Sequence, residues 1–177
     1  MEQVLPDLIR PGLDVLFCGI NPGLVSAATG HHFARPGNRF WPALHLAGFT
    51  PRQFRPDEQA DLLDLGLGIT NVVDRASARA DELTRAEFAA GGEQLVKKVL
   101  ANEPKWLAVV GVTAYRDAFG ERKAAMGRQQ RLIGSTRVWI LPNPSGLNAH
   151  YTLPKLAAAF AELNAAAQDR PTDPTDR

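Results

Sequence analysis

The sequence predicts a three-layer α/β/α domain around a short, mostly parallel central sheet, and three observations carry that expectation. Continuous apolar runs at Val15-Leu16-Phe17-Cys18, Trp106 to Val110 and Val138-Trp139-Ile140-Leu141 read as strands buried on both faces, as parallel strands are. Helical segments with recognisable caps alternate with these runs, the arrangement of α/β folds. At 177 residues, 45% hydrophobic and 22% charged, the chain can bury one core without a disulfide or metal staple.

Each element follows from its own residues. Val15 to Gly19 is the first strand, and Asn21 to Asn38 reads as a long loop punctuated by Gly and Pro. Asn38 can cap a helix from Arg39 to about Ala47, with Phe40, Leu44 and Ala47 on one face. Asp57 opens a short helix to Leu65, and Gly68-Ile69-Thr70-Asn71 is a strand or turn. Thr84-Arg85-Ala86-Glu87 matches a capping box ahead of a helix to about Leu100, with Phe88, Leu95, Val96 and Val99 as its apolar set. Pro104 ends that region, Trp106 to Val110 is a strand, and Thr113 to Phe119 is helical. Arg131 to Ile133 and Val138 to Leu141 form a hairpin-like pair across Gly134-Ser135. Thr152 caps a final helix, Leu153 to about Ala167, and Gln168 to Arg177, rich in Pro, Asp and Thr, reads as a disordered tail. The expected organisation is one domain over residues 1–167 with a tail at 168–177.

Composition removes several function classes. The single Cys18 lies in an apolar run and excludes both an intramolecular disulfide and a cysteine-built metal site. No run reaches transmembrane length, and the first residues lack a basic n-region and a long apolar stretch, so a cytoplasmic protein is expected. The formal net charge is only +1, but Arg116, Arg122, Lys123, Arg128, Arg131 and Arg137 cluster against Asp117 and Glu121 alone. That stretch is either a phosphate-facing patch or a solvated loop.

Two Asn-Pro turns carry the strongest functional signal. Gly19-Ile20-Asn21-Pro22-Gly23 follows the first strand, and Asn143-Pro144-Ser145-Gly146-Leu147 follows the Val138–Leu141 run. Ligands of open α/β sheets gather at the strands' carboxyl ends, so both turns should reach one site. No G-x-G-x-x-G, P-loop or G-x-S-x-G motif is present, and the adjacent His31-His32 do not form H-E-x-x-H. No metal site or cofactor is expected.

Five segments in order resemble the mismatch-specific uracil-DNA and thymine-DNA glycosylases. They are Gly19-Ile20-Asn21-Pro22-Gly23-Leu24, Gly30-His31-His32-Phe33, Pro36-Gly37-Asn38-Arg39-Phe40-Trp41, Thr70-Asn71-Val72-Val73-Asp74-Arg75 and Asn143-Pro144-Ser145-Gly146-Leu147. The resemblance spans about Leu13 to the last helix, and is strongest to the bacterial G/U mismatch-specific uracil-DNA glycosylase. It implies a uracil-DNA glycosylase-like fold and a monofunctional enzyme that excises a flipped base, leaving an abasic site for base excision repair. Asn21 matches the family's catalytic Asn and would orient the attacking water. Ile20 and Phe33 would supply backbone N–H groups to the base, with Phe33 stacking on it and Ser26, His32 and Asn71 completing the pocket. Leu147 matches an apolar wedge that fills the vacated stack. Asn143 would hold the adjoining phosphate or the pocket wall, Ser145 counts among the wedge and mismatch contacts, and backbone groups of Gly146 and Asn148 would contact the widowed guanine. Asp74 would assist water activation or, more simply, pair with Arg75; His32 would reach the sugar or pack under its loop. No lysine falls in the matched catalytic motifs, so lyase chemistry lacks its nucleophile.

Departures from the pattern matter too. Asn71 stands where the bacterial relatives carry Lys and is similar to the thymine-DNA glycosylase branch. A neutral amide there implies scope beyond uracil, including ethenocytosine and thymine. The implied partner is double-stranded DNA with G·U or related mispairs, met by a monomer, with no membrane. Two other functions fit the residues: a non-catalytic module that binds damaged DNA, and an α/β enzyme processing small nucleosides.

Overall fold

Side-chain alternation along a single strand sets the layers. In β1 (Val15–Gly19), Val15 and Phe17 enter one apolar core while Leu16 and Cys18 enter another. This is the period-2 geometry of a strand covered on both faces. A computed structural model describes residues 5–168 of the chain. β1, β2 (Leu67–Asn71), β3 (Trp106–Val110), β4 (Gly127–Ile133) and β5 (Thr136–Leu141) form one sheet in the order β2-β1-β3-β5-β4. The first four in that order are mutually parallel, and β4 is an antiparallel edge on β5.

Two helices cover each face. α2 (Phe40–Leu46) and α5 (Leu153–Gln168) bring Phe40, Leu44, Leu156 and Phe160 onto Phe17, while α3 (Arg85–Asn102) and α4 (Val112–Phe119) bring Phe88, Leu95 and Tyr115 onto Leu16 and Cys18. The three-layer expectation therefore holds. The capping box forms as read: Glu87 N–H donates to Thr84 Oγ1 at 3.1 Å and Thr84 N–H to Glu87 Oε2 at 2.7 Å. Asn38 Oδ1 accepts from Phe40 N–H at 2.9 Å, starting α2 one residue later than expected.

Three segments differ from the sequence reading. The expected loop 21–38 contains a short helix, α1 (Leu24–Thr29), closed by Gly30 in the left-handed conformation. Leu24 and Val25 of α1 face solvent and only Ser26 is buried, so no apolar stripe announces it. The Pro56–Leu65 helix is of 3₁₀ type, and a second 3₁₀ turn spans Ala80–Glu82. β4 begins at Gly127, because a register irregularity between Arg128 and Leu132 hides the strand's alternation. α5 is described through Gln168, and the rest of the expected tail lies outside the described residues.

A strap ahead of β1 braces the cleft described below. Leu8 exchanges two 2.9 Å backbone bonds with Ile69 at the edge of β2. Asp7 accepts from Thr70 Oγ1 and pairs with Lys98 Nζ of α3, which also donates to Thr70 Oγ1 at 2.8 Å.

Candidate active site

Parallel strand direction puts three asparagines at one edge. β1, β2 and β5 all end there, so Asn21, Asn71 and Asn143 converge from positions up to 122 residues apart on a cleft of about 360 Å³. Ile20, Asn21, Ser26, His32, Phe33 and Asn71 line it on one side, and Asn143, Ser145 and Leu147 on the other. Gly146 lines an adjoining hollow of about 240 Å³, and Asn148 and Asp74 line neither.

Asn21 is held in one orientation. Its Nδ2 donates to Arg75 O and to Ser77 Oγ, both at 2.8 Å. A carbonyl can only accept, so the nitrogen must face Arg75 and Oδ1 must face the other way. Arg75 is itself fixed: its Nε donates to Glu87 Oε1 at 2.7 Å and its Nη2 to Glu82 O at 3.0 Å. The Arg75 hydrogen bonds and the capping-box amide hold the Glu87 carboxyl down at about 2. Asn71, only 8% exposed, makes no side-chain hydrogen bond among the described residues, so its amide is uncommitted at the cleft wall. A Cβ at Gly19 would lie 2.5 Å from Asn71 Oδ1 and 3.3 Å from Phe33 Cζ. A larger residue at this position would have to push the Asn71 amide aside.

The loop after α1 is tightly tied. Phe33 adopts φ 52°, a left-handed conformation that costs a bulky residue roughly 1–2 kcal/mol. Its ring stacks on Phe40 with centroids 4.0 Å apart, so one face belongs to the core. Ala34 N–H donates to Ser26 Oγ at 3.1 Å, which leaves the buried Ser26 hydroxyl a proton to donate. His32 is a structural hub at 1% exposure: its ring bonds Pro6 O at 2.7 Å, its N–H donates to Gln59, and its carbonyl accepts from Trp41 Nε1. Burial pushes its pKa below the usual imidazole range, keeping it neutral. Of the two roles open to His32, the geometry favours packing under the loop.

The second turn is self-bonded. Asn143 Oδ1 accepts from Ser145 N–H at 2.9 Å, and Ser145 Oγ from Leu147 N–H at 3.2 Å. Asn148 Nδ2 donates to Asn143 O at 3.0 Å while its Oδ1 accepts from His150 N–H. Both polar ends of the Asn148 side chain thus have partners inside the turn, and its backbone N–H donates to Ser145 O at 3.0 Å. Leu147 projects at 68% exposure. Gly146 packs so closely that a Cβ there would lie 2.7 Å from Gly37 O.

Arg39 is the functional candidate that sequence reasoning missed. It reaches across from α2: Nη1 donates to Tyr151 O, and Nη2 to Ser145 O at 2.7 Å and Asn148 O at 3.2 Å. Its own N–H donates to Pro144 O at 3.0 Å, and its Nε is buried without a partner. The residue belongs to a quoted motif, but no local spacing reveals partners more than 100 positions away.

One sequence expectation is corrected, and one choice left open between two alternatives is narrowed. Asp74 is exposed, outside the cleft lining, and makes no ion pair among the described residues; Arg75 turns instead to Glu87. Asp74 is therefore neither placed on a water in the cleft nor paired as expected. The basic stretch is consumed locally: Arg122 pairs with Asp117, Arg131 with Glu121, and Arg116 donates to Ala124 O. Arg128 and Arg137 lie over Trp106 at the opposite end of β3 from the cleft. Among the described residues no three His, Cys, Asp or Glu side chains group as a metal would require, and no helix is long and apolar enough to cross a membrane.

A family model described as the Uracil DNA glycosylase superfamily matches residues 6–168. A solution NMR structure of a protein from Methanosarcina acetivorans, described as a candidate uracil DNA glycosylase, is similar with a TM-score of 0.58 and 16% identity. The match covers 92% of this chain and 98% of that one. At that identity the likeness bears on the fold alone.

Proposed function

The chain belongs to the Uracil DNA glycosylase superfamily and is a DNA N-glycosylase, a hydrolase of the N-glycosidic bond; on that premise we propose that it excises uracil mispaired with guanine. The observation that carries the reading is the convergence of three strand-end asparagines on one cleft, with exposed Leu147 on its rim. Extrusion of the base costs a few kcal/mol, least where the pair is already mismatched, so a G·U lesion is preselected. Leu147 enters the stack the nucleotide leaves.

Hydrolysis breaks the bond from the sugar C1′ to the base nitrogen. The bonding pair leaves with the base, and a water adds to the developing oxocarbenium and gives up a proton to solvent, from which the base anion takes one up in turn. Asn21 suits orientation rather than deprotonation of that water, because its Nδ2 is committed as a donor and Oδ1 can accept a hydrogen bond but is too weakly basic to take the proton. The departing anion needs fixed donors, and the Ser26 hydroxyl, the Asn71 amide and the Phe33 N–H are candidates on the same wall. We further propose that the neutral, uncommitted Asn71 admits ethenocytosine and, more weakly, thymine.

Release of free base from a G·U duplex tests the reading, with Asn21→Ala as the comparison. The expected result is uracil release by the wild type and a loss of at least about 10²-fold in the variant. Wild type that releases nothing refutes the proposal. Activity confined to uracil, with G·ethenocytosine and G·T untouched, refutes the broader scope.

A further inference from the structure

Resting on the glycosylase reading, we propose that the hollow beside the wedge seats a phosphodiester of the flipped strand and that Arg35 is its cation. The hollow lies between Pro36-Gly37 and Ser145-Gly146-Leu147 and shares Arg35, Asn38, Ser145 and Leu147 with the base cleft. A nucleotide whose base enters the cleft while Leu147 takes its place in the stack must carry its backbone from one to the other. The phosphate joining the flipped nucleotide to its stacked neighbour therefore passes the hollow.

Its lining suits an anion. No carboxylate borders it. Ser145 Oγ already accepts from Leu147 N–H, so its hydroxyl proton is free to be donated. Arg35 is exposed and borders both cavities, and among the described residues its guanidinium makes no hydrogen bond or ion pair. The other arginines nearby are occupied: Arg79 pairs with Asp81, and Arg39 is spent on three carbonyls of the turn. A guanidinium's fork of donors matches phosphate oxygens, and neutralising one phosphate releases its counterion.

Counterion release supplies the test. Binding is measured from roughly 50 to roughly 200 mM salt on a duplex carrying 2′-fluoro-deoxyuridine opposite guanine, where the electron-withdrawing fluorine blocks cleavage but not flipping. Arg35→Gln should make the slope of log K against log salt shallower by about 0.9, so that its affinity deficit shrinks about 3.5-fold over that range. Arg35→Lys should restore the slope. On a fully paired duplex, where no nucleotide leaves the stack, wild type and Arg35→Gln should have the same slope. An unchanged slope on the uracil duplex overturns the proposal. An equal change on both duplexes also overturns it, because Arg35 would then act as general surface charge. Uracil release from an unmodified G·U duplex by wild type, measured alongside, reports on the glycosylase reading separately.

Discussion

Replacing Arg39 by Met keeps the aliphatic stem and deletes the guanidinium that ties α2 to the wedge turn. The structure sets the size of the effect. Two close bonds, to Tyr151 O and Ser145 O, are lost, and a longer one at 3.2 Å to Asn148 O adds little. At the low end for charged donors, since these carbonyls can turn to water, the two are worth together about 3 kcal/mol. Against this, Met removes a buried, unpartnered Nε whose desolvation costs at least about 1 kcal/mol. The net is about 2 kcal/mol against the closed turn, roughly 30-fold in its opening equilibrium. Amide hydrogen exchange reads that equilibrium directly. Exchange at Ser145, Leu147 and Asn148 should accelerate by about that factor, while the amides of β1 and β3 keep their protection. Affinity for a G·U duplex should fall by no more than the same factor, since binding must reorder the turn. Unchanged exchange at the three turn amides refutes the reasoning. So does acceleration spread evenly into β1 and β3, which would mean that Arg39 supports the global fold.

Leu147→Ala should leave thermal stability within about 0.5 kcal/mol, because the side chain is exposed, yet slow single-turnover excision from duplex DNA by tenfold or more; an undiminished rate counts against a wedge. Gly19→Ala should keep the fold but displace Asn71 Oδ1 by about 0.9 Å to reach ordinary contact distance, an easy movement for the end of a side chain bordering open space. The ratio of uracil to ethenocytosine excision should then change, and an unchanged ratio removes Asn71 from base selection. Glu87 is ionised in the folded protein down to about 2, below its usual carboxylate value of 4.5. Its contribution to stability is thus fully present above pH 4.5 and is lost as the pH falls toward about 2. Glu87→Gln should flatten that acid limb in pH-dependent melting, and a limb of unchanged steepness would show that the Arg75 pairing does not hold the carboxyl down.

What the sequence discloses depends on whether its cause is local. β1 and β3 are legible because an uninterrupted apolar run has few other uses, and the start of α3 because Thr84 and Glu87 bond each other three residues apart. α1 is six residues long and buries only Ser26, so it offers no periodicity to read. At the site, the three asparagines are legible because strand ends of a parallel sheet share an edge. Asp74 misleads for a related reason. Asn71 ends β2 at the cleft, whereas three residues later the chain has left the strand and the carboxylate faces solvent. The arginines of 116–137 cluster in sequence but divide among a helix end, a hairpin and the Trp106 face, so they form no single patch. Arg39 and Ser77 act through partners 56 to 112 positions away, a distance no motif spacing encodes.

On the proposed reading, the cleft's chemistry is that of neutral amides rather than of titrating groups. His32 is neutral and structural, Asp74 lies outside, and Asp81 is matched by Arg79. A departing base that carries the bonding electrons is stabilised by fixed donors, which need not change protonation and pay no reorganisation as charge develops. Asn21 and Asn71 divide this work by how far each is tied. Asn21 is pinned by an acceptor-only carbonyl and can present only Oδ1, which suits a water that must arrive in one orientation. Asn71 has no such anchor, and the missing Cβ at Gly19 leaves room beneath it, so its amide can turn to offer either a donor or an acceptor. A residue that can do both reads a carbonyl and an imine-like nitrogen with little preference. On this reading the cost of leaving the stack decides which bases reach the cleft, and the freedom of the Asn71 amide decides how evenly they are then received.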